Sequence, residues 1–426
     1  MDLESDVSTE LRRETDSFGN MSKYYSTGRD IETERSVEED WDALIQPGRS
    51  SNEKSVLGEG SSKSNLNNRD IETEKSIQED WNAAIQPKSS KTTPRRKWVV
   101  NEIMILLCIL TGSILGVLAR KGLTNLTTYL GSYLGGLIWC NFSASLIMGA
   151  IIFIPELWQE LIKEEIFEGP GVIPLYVGIG TGFCGSFSSF STLILEAFYK
   201  AADLEPKQRS YYPNQAYGIM EFLAVVLAHI CLSISAFLIG KDIVSNIKKY
   251  LKVFSAKIYF LLEGLWIFIG LAAYIVVIVL CGVKKNGSWR SWTFSCIFGV
   301  FGAYLRYLLS RYLNNVHRYF FFGTYTANFS GTLFLSILIL LQRGTKPENI
   351  LSRLVNDKLS CQVLEGFADG FCGCLTTVST FVAELMNLKS YQPYVYGLIS
   401  LLTSFAVLVL TLGTYSWKVG LTIPAC

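Results

Sequence analysis

The chain has 426 residues, 49% of them hydrophobic and 18% charged, with a formal net charge of +1. That balance lacks the basic footprint of a nucleic-acid binder, so no nucleic acid is expected as a partner. The apolar residues are unevenly spread: residues 1–97 are polar, and from Trp98 onward long apolar runs alternate with short polar loops.

The N-terminal tail carries its own repeat. RDIETERSVEEDWDALIQP at 29–47 returns as RDIETEKSIQEDWNAAIQP at 69–87, 40 residues on. Each copy suits a short amphipathic helix, around Val37, Trp41 and Leu44 or around Ile77, Trp81 and Ala84. The Ser/Asn-rich linkers between them predict a disordered tail. It is either a dispensable duplication or a docking or regulatory segment for a cytosolic partner; the first reading is preferred. No cleavable signal peptide is expected, since the first apolar run starts so far in.

Runs of about 20 apolar residues read as membrane-spanning helices. Nine are expected, roughly 99–119, 131–154, 171–198, 213–240, 258–282, 290–312, 319–341, 361–387 and 391–417. The sequence thus predicts an all-α integral membrane protein in a lipid bilayer. PRRK at 94–97 precedes the first span, and Lys248, Lys249, Lys252 and Lys257 follow the fourth. Basic loops stay cytosolic, which puts the N-terminus inside and the C-terminus outside.

The first four spans recur in the last four. GVLAR at 116–120 matches GAYLR at 302–306, and Asn141-Phe142-Ser143 matches Asn328-Phe329-Ser330. In the third span GFCGSFSSFSTLILE at 182–196 matches GFCGCLTTVSTFVAE at 370–384, and in the fourth Tyr217-Gly218 matches Tyr396-Gly397. One extra span, 258–282, flips the second copy, so the two repeats have inverted topology. The domain reading is therefore a tail (1–97), a first repeat (98–240), a basic loop and linker helix (241–289) and a second repeat (290–426).

Polar groups inside a bilayer are costly and usually functional. The third-span copies combine glycines with Ser186, Ser188, Ser189, Ser191 and Thr192, or with Thr376, Thr377, Ser379 and Thr380. Lipid offers this backbone no partners, so it must face protein or line a polar path for a small ion. Unwinding is expected at Gly185 and Gly373, exposing carbonyls. Nearby phenylalanines present electropositive ring edges to an anion, although lipid or core packing is the commoner role of a membrane Phe. Asn141 and Asn328 either tie helices together or donate to an anion. Arg120 and Arg306 either snorkel or form an anion-attracting vestibule, and their shared GxxxR context favours a functional or helix-locking role. Glu196 and Glu384 suit capping or salt bridges. The ten cysteines, including Cys372 and Cys374, form no metal pattern and read as small buried residues.

GxxxR, the mid-span Asn, the GFCGxxTTxSTF-like break with its trailing Glu, and the Tyr-Gly pair resemble the fluoride channel family (Fluc, CrcB). The fused two-repeat arrangement with a ninth helix is similar to the fungal fluoride exporters (FEX). The resemblance covers roughly 99–417. It implies a passive plasma-membrane fluoride channel, not an enzyme, working as a monomer that contains a pseudo-dimer. It implies a structural Na+ at the repeat interface, held by backbone carbonyls at Gly185, Ser188, Gly373 and Thr376. It implies pores lined by third-span Phe, second-span Asn, third-span hydroxyls (Ser191, Thr192, Ser379, Thr380) and a fourth-span Tyr and Ser. Here the two Phe positions read Phe190 and Leu193 in repeat one, Val378 and Phe381 in repeat two. Repeat two keeps Tyr396 and Ser400, whereas repeat one has Tyr217 and Glu221. One working pore, at Phe190 and Phe381, and one vestigial pore are therefore expected.

Three other classes compete. A proton-coupled antiporter of the dual-topology four-helix type wants a deep first-span carboxylate in each repeat, yet only Glu102 is present, at an edge. A membrane enzyme finds only His229 and His317, neither with a matched partner or nucleophile motif. A sensor or scaffold would signal through the tail repeats.

Overall fold

The computed structural model describes residues 95–423, apart from positions 130, 155, 165, 168, 205–211, 215, 248–249, 251–254, 284–288 and 347–348. The repeats at 29–47 and 69–87, and Lys248, Lys249 and Lys252, lie outside the described residues. The helices are α1 (Arg95–Thr127), α2 (Leu137–Ile152), α3 (Glu156–Lys163), α4 (Pro174–Ala201), α5 (Ala216–Ile247), α6 (Ala256–Val283), α7 (Trp289–Leu313), α8 (Phe322–Arg343), α9 (Lys358–Asn387) and α10 (Gln392–Lys418). Among the described residues eight are long and apolar enough to cross a membrane, or nine if α2 and the Leu157–Lys163 part of α3 form one bent span. The chain is a helical membrane protein with multiple spans.

One span boundary needs correction. The second span was expected over 131–154, but its helix starts only at Leu137, after a stretch of turns in which Gly131 stands at φ +91. Strands β1 (Thr345–Lys346) and β2 (Asn349–Arg353) form an antiparallel hairpin between α8 and α9.

The architecture turns on α4 and α9, which are broken in the same way. Each contains a seven-residue π-helix, Gly178–Cys184 in α4 and Gly366–Cys372 in α9, followed by one helical turn. The chain then leaves the helix at Ser188–Ser189 and at Thr376–Thr377 and resumes as Phe190–Ala201 and Ser379–Asn387. The break is therefore not at Gly185 and Gly373, which keep helical dihedrals of (−68, −27) and (−64, −29). Extended backbone begins three residues later, at Ser188 (−84, 159) and Thr376 (−93, 149). Hydroxyl side chains offer the backbone alternative hydrogen bonds, which is why they, rather than the glycines, end the helix.

Packing frames these breaks. α1 runs along the π segment of α4, α7 along that of α9, and α1 crosses α7 between them. α5 covers α2. α6 lies on α1 and α7 with only 11% of its span buried, leaving the rest of an apolar surface for lipid. The main core gathers Phe187, Phe190, Phe198, Phe237, Phe381 and Tyr396 around the two breaks.

Candidate functional site

The breaks are stitched to each other. Ser188 Oγ accepts from the Val378 and Ser379 N–H groups at 3.2 Å each, so it caps the helix that restarts in α9. Reciprocally, Thr376 Oγ1 accepts from the Ser191 N–H at 3.1 Å and lies 2.9 Å from Ser191 Oγ. Ser188 and Thr376 are matching positions of the duplicated motif, so each half caps the other's helix. Ser188 Oγ also lies 3.1 Å from Ser379 Oγ, and Ser189 Oγ 2.9 Å from Thr192 Oγ1. The Thr380 N–H donates to Thr377 Oγ1 at 3.4 Å. Two helix N-termini thus converge at the centre, each capped by hydroxyl oxygens and each carrying the partial positive charge of a helix start.

Asn141 and Asn328 hold the break residues in place. Asn141 Oδ1 accepts from the Ser189 N–H at 3.0 Å, and Asn328 Oδ1 from the Thr377 N–H at 2.8 Å. Their amide nitrogens diverge. Asn328 Nδ2 donates to the Thr377 carbonyl at 3.2 Å, whereas Asn141 Nδ2 donates to His229 Nδ1 at 3.1 Å. That leaves His229 Nε2 to face Glu196 Oε2 at 3.4 Å. Glu196 Oε1 in turn accepts from the Gly135 N–H at 2.6 Å. His229 is fully buried in this relay from α2 to α4, a hydrogen-bonded residue and not a catalytic one.

The rings of Phe190 and Phe381 meet edge to face, with centroids 5.4 Å apart and planes at 69°. Both are fully buried just inside the two restarted helices. Phe381 also touches the Tyr396 ring at 5.3 Å. The Tyr396 hydroxyl donates to Glu384 Oε2 at 2.7 Å, while Thr324 Oγ1 (2.5 Å) and Asn314 Nδ2 (3.1 Å) donate to Oε1. Ser400 Oγ bonds back to the Tyr396 carbonyl at 2.7 Å. The matching Tyr217 is 47% exposed and stacks on Tyr212, and Glu221 accepts from Tyr133 at 2.5 Å. Leu193 and Val378, at the other two Phe positions, are fully buried aliphatic residues with no ring edge to offer. Glu384→Gln should unsettle this corner, because its amide can accept through only one oxygen. Stranding a buried donor costs about 1–3 kcal/mol, to be read as a lower melting temperature in detergent.

Arg120 and Arg306 neither snorkel nor open outward; both are at least 97% buried. Each reaches the opposite half. Arg306 Nη1 donates to the Gly185 carbonyl at 2.6 Å and Nη2 to the Thr181 carbonyl. Arg120 Nη1 donates to the Gly373 carbonyl at 3.0 Å and to the Ser186 carbonyl, and Nη2 to the Asp369 carbonyl at 2.5 Å. The guanidiniums thus cap the carbonyl ends of the helical turns before the breaks. The pairs Thr181/Asp369 and Gly185/Gly373 are matching positions, so the two latches are alike. Lys121 and Asp369 joined this network without a sequence signal beyond their charge within a span. Lys121 Nζ lies 2.8 Å from Asp369 Oδ2. Glu102, the one candidate for a coupling carboxylate, is tied to Arg311 at 2.5 Å.

This geometry tests the expected Na+ site. Of the four carbonyls assigned to it, those of Gly185 and Gly373 each hold a guanidinium proton. A monovalent cation about 5 Å from such a charge is repelled by about 3 kcal/mol at an effective dielectric near 20, and here there are two. The residues present do not fit the ion.

A family model described as CrcB-like protein, Camphor Resistance (CrcB), matches residues 107–241 and again 293–414. The Fluoride export protein 1 of Candida albicans is 51% identical over 317 residues, covering 74% of this chain and 81% of that protein. The Fluoride export protein 1 of Saccharomyces cerevisiae is 30% identical over 361 residues, covering 74% and 94%. The Fluoride-specific ion channel FluC of Acinetobacter baylyi is 32% identical over 122 residues, covering 28% of this chain but 87% of its own length. No solved structure matches the chain. A short bacterial relative thus aligns with about a quarter of this chain, while the family model matches it twice over: the chain belongs to the CrcB-like family.

Proposed function

We propose that this chain is a fluoride channel of the plasma membrane that lets cytosolic fluoride leave and so confers fluoride resistance. The observation that carries the reading is the Phe190–Phe381 edge contact between two converging helix N-termini. Fluoride is small and strongly hydrated, so a path must replace water with donors. Ring edges, including that of Tyr396, the hydroxyls of Ser191, Thr192, Ser379 and Thr380, and the amides of Asn141 and Asn328 supply them, while the Tyr396 and Ser400 hydroxyls, spent on Glu384 and the Tyr396 carbonyl, shape the wall of the path. Helix N-termini aimed at the same place favour an anion. The names of the fungal and bacterial relatives support the same ion.

The pathway is single. Phe190 and Phe381 serve one pore, and the Leu193/Val378 side is vestigial. The architecture behind it is nine spans in two inverted repeats, 98–240 and 290–426, with α6 as the inverting helix, the N-terminus cytosolic and the C-terminus outside. Transport is passive: a negative-inside potential supplies about 2.3 kcal/mol per 100 mV to each departing anion. No catalytic step is involved.

The experiment is growth in fluoride. Cells lacking the chain should become sensitive, and a version without residues 1–90 should restore resistance, since the tail plays no part in conduction. Unchanged sensitivity on deletion sinks the channel reading. Failure of the truncated chain alone points instead to signalling through the tail.

A further inference from the structure

The two central arginines are matched in position but not in charge balance. Arg120 lies beside Lys121, Asp369 and Glu365: its Nε is 3.5 Å from Asp369 Oδ1, and Lys121 Nζ is 2.8 Å from Asp369 and 3.5 Å from Glu365. Two cations there face two carboxylates. Among the described residues Arg306 has no such partner. The position matching Asp369 is Thr181, which offers Arg306 only its carbonyl; the Nε of both arginines has no hydrogen-bond partner among the described residues, so the difference lies in the carboxylate beside Arg120. Its neighbour Arg311 is already paired with Glu102. Arg306 also lines a cavity of about 90 Å³ with Thr181, Arg311, Asn314 and Thr380.

The carbonyl ends of two helical turns meet at the centre, and their partial negative charge calls for a cation. Both guanidiniums lie close against it. A Cβ at Gly185 would fall 2.2–2.6 Å from the Arg306 guanidinium, and one at Gly373 2.5–3.1 Å from that of Arg120. We infer that Arg306 is the fixed central cation of this molecule, standing where a sodium ion is expected, and that it makes fluoride passage independent of Na+. Arg120 braces the same place, but Asp369 cancels its charge. The uncompensated charge also holds the potential of the adjoining cavity positive, which favours an anion there.

The transport arm of the test rests on the fluoride-channel reading; a second arm does not. The full chain, purified without sodium, is reconstituted in vesicles loaded with fluoride as its Na+, K+ or N-methylglucamine salt. Efflux rates should agree within about twofold across the three salts. A loss of about tenfold without Na+, restored by adding NaCl, overturns the inference. In detergent, the melting temperature should be the same in NaCl and in KCl of equal strength; a rise specific to Na+ overturns it too. Thr181→Asp copies the other half and neutralises Arg306, so its efflux should fall at least about tenfold below that of the uncharged Thr181→Asn. Equal rates for the two variants overturn the role of Arg306. If the wild-type chain passes no fluoride in any salt, the channel reading fails, and the melting comparison still decides whether sodium binds.

Discussion

Replacing either Phe190 or Phe381 with Ile should cut fluoride efflux by about 10- to 100-fold while leaving the protein folded. The estimate follows from losing one charge-assisted contact of about 1.5–3 kcal/mol along the path. Ile nearly fills the volume, so the core around Phe198, Phe237 and Tyr396 survives; what it lacks is an electropositive edge. The two substitutions should also fail to add, because the rings meet and serve one site. The reverse experiment is as informative. Leu193→Phe with Val378→Phe restores both rings on the other side, yet efflux should rise little. That side still lacks a buried tyrosine, since Tyr217 stands 47% exposed at the edge of α5, whereas Tyr396 is inside and braced by Glu384. Efflux that survives loss of Phe190, or doubles on restoring 193 and 378, would falsify the single-pore reading.

The duplicated third span was legible from the sequence because its chemistry is conspicuous: hydroxyls and glycines in a bilayer need partners. Its geometry was not. The break was expected at Gly185 and Gly373, but glycine merely permits a bend, whereas Ser188 and Thr376 bring an oxygen that captures amides of the opposite strand of the stitch. A partner 190 residues away in the chain leaves no local trace. The π-helices were equally hidden, since one extra residue per turn barely alters an apolar pattern. Arg120 and Arg306 were recognised as a matched pair. Whether they turn outward to headgroups or inward across the molecule depends on how α1 and α7 face each other, which periodicity within either helix does not set. Asp369, and the partner of His229, were not legible for the same reason: each acts through a residue from a distant helix.

That close facing of helices gives the second large effect. Gly302→Ala should destabilise the protein by about 3 kcal/mol, at the upper end for overpacking, and abolish efflux with it. A Cβ at Gly302 would lie 2.2 Å from the Phe371 carbonyl and 3.0 Å from the Leu375 amide, and neither backbone atom can swing aside. α7 would have to move off the π segment of α9. Arg306, one turn further along the same helix, would be carried away from the Gly185 carbonyl. The matching Gly116 meets the Phe183 carbonyl at 2.7 Å and should behave alike, which is the physical content of the GxxxR spacing: the glycine seats the helix and the arginine latches the far half. Gly264→Ala is the control. It lies in α6 with nothing within 4 Å of its Cβ, so it should be neutral or gain up to about 1 kcal/mol of helix propensity. Melting temperatures in detergent separate the two. If Gly302→Ala unfolds with the wild type and keeps its efflux, α7 does not rest on the π segment, and the glycine in GxxxR has no seating role.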